Sequence, residues 1–191
     1  MRVIAGTAKG RTLRAPAGRR VRPTADRIKE SLFDILRERV AGSRVLDLYA
    51  GAGSLAIEAL SRGAGEAVIV ESWPAAVAAI RANLGATRFT GRARVIRARS
   101  EEAVRSVLER GSTFDLIFMD PPYRMSASEL EKVFASLHER DLLTSRSVLV
   151  LEGSSKKTPQ EFAGFVVKSF RVYGDTSLTF YAKSDVRREG V

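Results

Sequence analysis

Apolar positions along this chain switch repeatedly between two periods. Short unbroken apolar runs alternate with stretches in which apolar residues return every three or four positions. The first pattern predicts buried strands and the second predicts helices packed over them. Strands are predicted at 44–49, 67–71, 93–97, 114–119 and 147–152, and helices at 54–62, 74–84, 101–110 and 128–139. Pro74 falls in a first turn, where its missing N–H costs nothing. Upstream, Thr24 predicts the cap of a helix over 25–40, with Ile28, Leu32, Phe33, Ile35 and Leu36 on one face. Residues 2–15 alternate weakly around Gly6 and Gly10 and predict a β-hairpin, followed by a loop at Ala17-Gly18-Arg19-Arg20. Residues 165–173 and 177–183 predict a closing hairpin around Gly174-Asp175. Strands alternating with helices imply an α/β fold with a mostly parallel, doubly wound sheet. Such sheets bind ligands beyond the carboxyl ends of their strands, so the loops after Tyr49, Glu71, Arg97, Asp120 and Glu152 are where chemistry is expected.

Composition narrows the function classes. A chain of 191 residues that is 45% hydrophobic suits one domain with a substantial core. No run approaches the roughly 20 apolar residues that span a bilayer, and the first residues lack a signal peptide's apolar stretch. A cytoplasmic protein without membrane contact is expected. The absence of cysteine removes disulfides and thiolate metal sites, and His138 is the single histidine, so no metal is expected.

The net charge of +10 is unevenly spread. Arg2, Lys9, Arg11, Arg14, Arg19, Arg20 and Arg22 occur before any acid, and residues 1–44 carry +8 of the total. A basic segment on a nearly neutral body points to a polyanion partner, and residues 1–22 are expected to act as a nucleic-acid-binding arm.

The richest chemistry lies in Asp120-Pro121-Pro122-Tyr123, directly after an apolar strand. Proline cannot donate to a sheet ladder, so this stretch ends the strand and forms a rigid lip. An amine conjugated to a purine ring is a poor nucleophile because its lone pair is delocalised. Asp120 and the Pro121 carbonyl can each accept one of its N–H hydrogens and turn the lone pair outward; proline fixes the carbonyl's direction. Tyr123 can stack on the ring. The second site is the loop Asp47-Leu48-Tyr49-Ala50-Gly51-Ala52-Gly53. Its glycines allow close backbone approach, and Glu71, about 20 residues on, can accept both ribose hydroxyls of an adenosine. The spacing Gly51-x-Gly53-x-x-Ala56 also fits a dinucleotide fingerprint, so NAD remains a rival. Asp47 favours S-adenosylmethionine, because a carboxylate attracts an ammonium and repels a pyrophosphate.

On these motifs the chain resembles class I S-adenosylmethionine-dependent methyltransferases that act on amines. Within them it closely resembles the RsmD family, which methylates a guanine exocyclic amine in small-subunit ribosomal RNA. The likeness covers essentially the whole chain. It rests on Arg2-Val3-Ile4-Ala5-Gly6 with Lys9-Gly10-Arg11, on the block from Arg22 to Phe33, on the glycine loop, on the Asp120 lip and on Tyr173-Gly174-Asp175-Thr176. The resemblance implies a Rossmann-like class I methyltransferase fold: a seven-stranded, mostly parallel sheet with an antiparallel C-terminal hairpin and a small N-terminal β-hairpin extension. The methyltransferase domain would span 23–184, with a tail without ordered structure over 185–191. It implies S-adenosylmethionine as cofactor, S-adenosylhomocysteine as product, and a monomer acting on 16S rRNA within a small-subunit assembly intermediate. Asp47, Tyr49, Gly51, Gly53, Glu71, Ser100 and Thr24 would bind the cofactor. Asp120, Pro121 and Tyr123 would be catalytic, and Pro122 would help hold the guanine. Lys9, Arg11, Arg14, Arg19, Arg20, Arg22 and Arg27 would contact RNA. The chain departs from its relatives after the third strand, where Ala98-Arg99-Ser100 replaces an acid or amide that meets the adenine; Ser100 or a backbone carbonyl is the expected substitute.

Three rivals stay open: methylation of DNA adenine or of a protein glutamine, both of which use a similar lip; a non-catalytic RNA-binding assembly factor; and an NAD-dependent oxidoreductase. His138 and the acids Glu129, Glu131, Glu139 and Asp141 are expected on the solvated surface. Lys156-Lys157 follows the fifth strand, close to where a substrate would sit.

Overall fold

All five apolar runs form strands: β1 (Arg44–Leu48), β2 (Glu66–Glu71), β3 (Ala93–Arg97), β4 (Phe114–Met119) and β5 (Leu143–Ser154). The predicted hairpin supplies β6 (Phe165–Tyr173) and β7 (Thr176–Lys183). The structure, a computed structural model, describes residues 1–16, 26–109, 111–122 and 124–184. One sheet contains the seven strands in the order β3-β2-β1-β4-β5-β7-β6. β1 to β5 run parallel, and β7 inserts antiparallel between β5 and β6. This is the mostly parallel sheet with an antiparallel C-terminal hairpin that the sequence implied.

The helices are α1 (Asp26–Leu36), α2 (Ser54–Ser61), α3 (Pro74–Thr87), α4 (Ser100–Glu102) and α5 (Ala127–Glu139). The central strands are apolar without alternation because both faces are covered. Leu32, Phe33, Ile57, Leu60 and Ile80 pack on one face with Phe118, and Leu137, Phe134 and Val104 pack on the other with Ile117. Strand order changes direction at β1, whose neighbours are β2 and β4. That switch point opens a crevice between the loops that follow β1 and β4.

Several expectations need correction. α1 stops at Leu36 and passes into a 3₁₀ turn at Arg37–Arg39. Ile35 is 43% exposed, whereas Lys29 is fully buried. At about 100° per residue, Ile35 lies roughly 90° from the centre of the buried stripe, and Lys29 falls inside it. The helix expected at 101–110 is one α turn followed by a π-helical stretch, Ala103–Val107, in which the Leu108 N–H donates to the Ala103 carbonyl at 2.9 Å. His138 is half-buried, not surface: its ring packs 6.3 Å from Phe165 and lies against Gly164.

Among the described residues, the N-terminal hairpin is a single antiparallel bridge, Arg2 to Thr12. Val3, Ala8 and Leu13 are buried in the same core as α1 and α2. The segment is held to α2 by backbone N–H donors: Ile4 and Ala5 donate to the Glu58 carboxylate at 2.8 and 3.0 Å, and Ala8 to Ser61 Oγ at 2.9 Å. Gly6, at φ +82°, makes this approach feasible; a Cβ there would lie 1.8 Å from the Ser61 carbonyl oxygen.

Candidate active site

The loop from β1 to α2 turns on left-handed backbone at Tyr49 (φ +65°), Gly51 (+58°) and Gly53 (+77°). Gly53 immediately precedes α2 and supplies no side-chain cap. The missing cap comes instead from Asp47, whose Oδ2 accepts the Ala56 N–H in the first turn at 3.1 Å. Asp47 is buried, with no cation paired to it among the described residues. Burial pushes its carboxyl up to about 7, the nearby Glu71 adds to that rise, and the Ala56 N–H offsets part of it. A carboxyl so placed would ionise fully on receiving a cationic ligand.

Glu71, at the end of β2, is held from both sides. Its Oε2 accepts the Gly51 N–H at 2.9 Å, and its Oε1 accepts the Trp73 N–H at 2.8 Å. The carboxylate is thereby fixed beside the glycine loop with lone pairs to spare for ligand hydroxyls. Asn83, buried on α3, braces the loop from behind. Its Nδ2 donates to the Ala52 and Arg14 carbonyls at 3.0 Å each, and its Oδ1 accepts the Arg14 N–H at 2.8 Å. The sequence reading missed this residue; its only signal was a polar side chain within an apolar helix. Ser100 is buried at the start of α4. Burial pushes the Tyr49 hydroxyl up to about 12, with the neighbouring Ser100 side chain offsetting part of the rise.

Asp120 leaves β4 at the switch point. Burial pushes its carboxyl up to about 8, and Glu152 and Asp47 add to that. It thus feels acids from both neighbouring strands: Asp47 on β1 and Glu152 on β5. Asp120, Pro121 and Pro122 form one wall of a cavity of about 350 Å³, with Glu152, Lys157 and Phe170 also lining it. Among the described residues the Pro122 carbonyl is taken by the Met125 N–H at 2.8 Å, whereas the Pro121 carbonyl accepts no bond. The cavity floor is braced by Tyr181, whose hydroxyl donates to the Gln160 carbonyl at 2.8 Å. The Ser126–Glu129 capping box starts α5 beside it.

The structure therefore brings Asp47, Tyr49, Gly51, Gly53, Glu71 and Ser100 to one side of the crevice, and Asp120, Pro121 and Pro122 to the other. Lys9, Arg11, Arg14 and Arg27 are exposed and do not line the cavity. Thr24, Arg19, Arg20, Arg22 and Tyr123 lie outside the described residues. Glu152, Gln160 and Phe170 were not foreseen as site residues.

The sequence family described as Conserved hypothetical protein 95 matches residues 1–182. YlbH of Bacillus subtilis (strain 168), provisionally named an rRNA methyltransferase, is 36% identical over 184 residues, 96% of this chain and 99% of the relative. Ribosomal RNA small subunit methyltransferase D of Escherichia coli (strain K12) is 30% identical over 184 residues, 96% of this chain and 90% of the relative. Among solved structures, the Escherichia coli protein yhhF, provisionally named a methyltransferase, is similar with a TM-score of 0.82 at 30% identity, covering 96% of this chain and 97% of that one.

Proposed function

The chain belongs to the RsmD family of rRNA methyltransferases, and from that premise we propose that it transfers a methyl group from S-adenosylmethionine to the exocyclic N2 of a guanine in small-subunit rRNA. The observation that carries this reading is the position of Asp120, between a carboxylate-lined glycine loop and a cavity roomy enough to admit a nucleobase.

The residues present suit the cofactor. Asp47 is a buried carboxyl in want of a cation, which the amino-acid ammonium offers. Glu71 is held rigidly by Gly51 and Trp73, ready for ribose hydroxyls. When bound, S-adenosylmethionine supplies a methyl group on a sulfonium sulfur that departs as a neutral thioether. The protein's own task is then mostly positioning. Asp120 and the Pro121 carbonyl accept the two N2 hydrogens, so the nitrogen lone pair faces the crevice. As N2 gains its methyl group it sheds a proton, and the Asp120 carboxylate takes it. The guanine reaches the cavity by leaving its stack, because a paired amine is enclosed. Exposed Lys9, Arg11, Arg14 and Arg27 would contact the rRNA backbone.

Labelled methyl transfer to small-subunit rRNA, naked and in a partly assembled particle, tests the proposal. The expected product is N2-methylguanine at one nucleotide by mass spectrometry, abolished in Asp120→Ala. Labelling of adenine, or full labelling by that variant, would reject it.

A further inference from the structure

Asp120, directly after β4, and Glu152, within the adjacent parallel strand β5, stand at the same level. Met119 of β4 is the register partner of Leu151 of β5, and each acid is the next residue along its strand. Both acids line the one cavity, and Glu152 is close enough to act on the Asp120 carboxyl through space. Lys157 lines the same cavity from the turn after β5, where its N–H donates to the Ser154 carbonyl at 3.1 Å. The cavity is thus lined by two acids from adjacent strands and by the basic side chain of Lys157.

We propose that Glu152 reads the N1–H of the target guanine and Lys157 its O6, so that these two residues, beyond the methylation lip itself, select guanine over other purines. This rests on the guanine reading above and deepens it. The Watson–Crick edge of guanine presents, in a row, the N2 amine, the N1–H and the O6 acceptor. Two acceptors followed by a donor match that row. Adenine presents a lone pair at N1 and an amine in place of O6. Glu152 would face that lone pair, and Lys157 would face hydrogens. A glutamine amide has no second donor for Glu152 to accept. Phe170, also in the cavity wall, offers an apolar surface to the base.

The test uses the full chain and small-subunit rRNA in which the methylated guanine is replaced by 2-aminopurine, which keeps the N2 amine but has neither N1–H nor O6. Wild-type protein should methylate guanine at least about a hundredfold better than 2-aminopurine, since a polar site built for a donor rejects an analogue lacking it. Glu152→Gln should lose about tenfold to a hundredfold on guanine while 2-aminopurine is spared or improved, because the amide can donate to an N1 lone pair. Lys157→Ala should slow guanine methylation and leave 2-aminopurine unchanged. Cofactor binding by calorimetry should be unaltered in both variants. Equal wild-type rates on the two bases, or an unchanged guanine to 2-aminopurine ratio in Glu152→Gln, would overturn the inference; the wild-type comparison holds even if a variant fails to fold. A wild-type protein that methylates no rRNA guanine would instead reject the parent reading.

Discussion

The Nζ of Lys29 lies 3.3 Å from Oε2 of Glu58, and neither side chain reaches solvent. Lys29 also donates to the Arg2 carbonyl at 2.5 Å, and Glu58 accepts from Ile4, Ala5 and the Arg62 Nε. Burial lowers the Lys29 ammonium despite its partner, which favours the charged form. The pair is the junction at which α1, α2 and the N-terminal segment meet.

Removing one partner of a buried ion pair strands the other, at about 3–5 kcal/mol. Glu58→Ala should lose stability on that scale in urea denaturation. Ile4 and Ala5 amides should lose hydrogen-exchange protection at the same time. A loss below about 1 kcal/mol, with those amides still protected, would show that core packing alone holds the segment.

Gly6 and Gly10 both adopt left-handed backbone, at φ +82° and +81°, but their surroundings differ. An alanine at 6 would collide with the Ser61 carbonyl, whereas the space at 10 is open. Gly10→Ala should cost about 1–2 kcal/mol from backbone conformation alone. Gly6→Ala should cost clearly more, because α2 must also shift. Thermal melts of the two variants side by side check this, and equal costs would contradict the close approach.

Asp120 carries a folded-state value of about 8 against an ordinary 3.8. The folded protein then holds a proton at this site that the unfolded chain has released. Stability therefore falls as pH rises from about 4 through about 8 and levels off above. Asp47, at about 7, adds to the same slope. Asp120→Asn should flatten the curve and leave the variant more stable than wild type at pH 9, with little difference at pH 4. Methyl transfer should show the opposite trend in wild type, rising as Asp120 ionises. A cationic ligand would shift that rise to lower pH.

What the sequence disclosed was largely local. The glycine loop, the strand before Asp120 and the alternation of elements depend on neighbouring residues, and each reappears in the structure. The features missed depend on pairing between distant segments. Glu152 becomes a neighbour of Asp120 only through the β4–β5 register, which no local pattern specifies. Lys29 reads as a charged helix position until Glu58, 29 residues away, is folded against it. His138 looked solvated because its own helix is polar there, but the chain at Gly164 and Phe165 covers it. The basic N-terminal residues were legible as charge, yet the burial of Val3, Ala8 and Leu13 between them was not.

Asn83 joins the Arg14 backbone to the Ala52 carbonyl of the glycine loop, so backbone and side chain at Arg14 have separable effects. Asn83→Ala would strand the buried Ala52 carbonyl, release the Arg14 backbone and loosen the loop. It should weaken S-adenosylmethionine binding by roughly tenfold, about 1.4 kcal/mol by calorimetry. Arg14→Ala keeps the backbone bonds and removes only an exposed charge. It should leave cofactor affinity unchanged while weakening rRNA binding and reducing its salt dependence by about one counterion. If Arg14→Ala instead lowered cofactor affinity as much as Asn83→Ala, the guanidinium rather than the backbone clip would be the element that couples this segment to the loop.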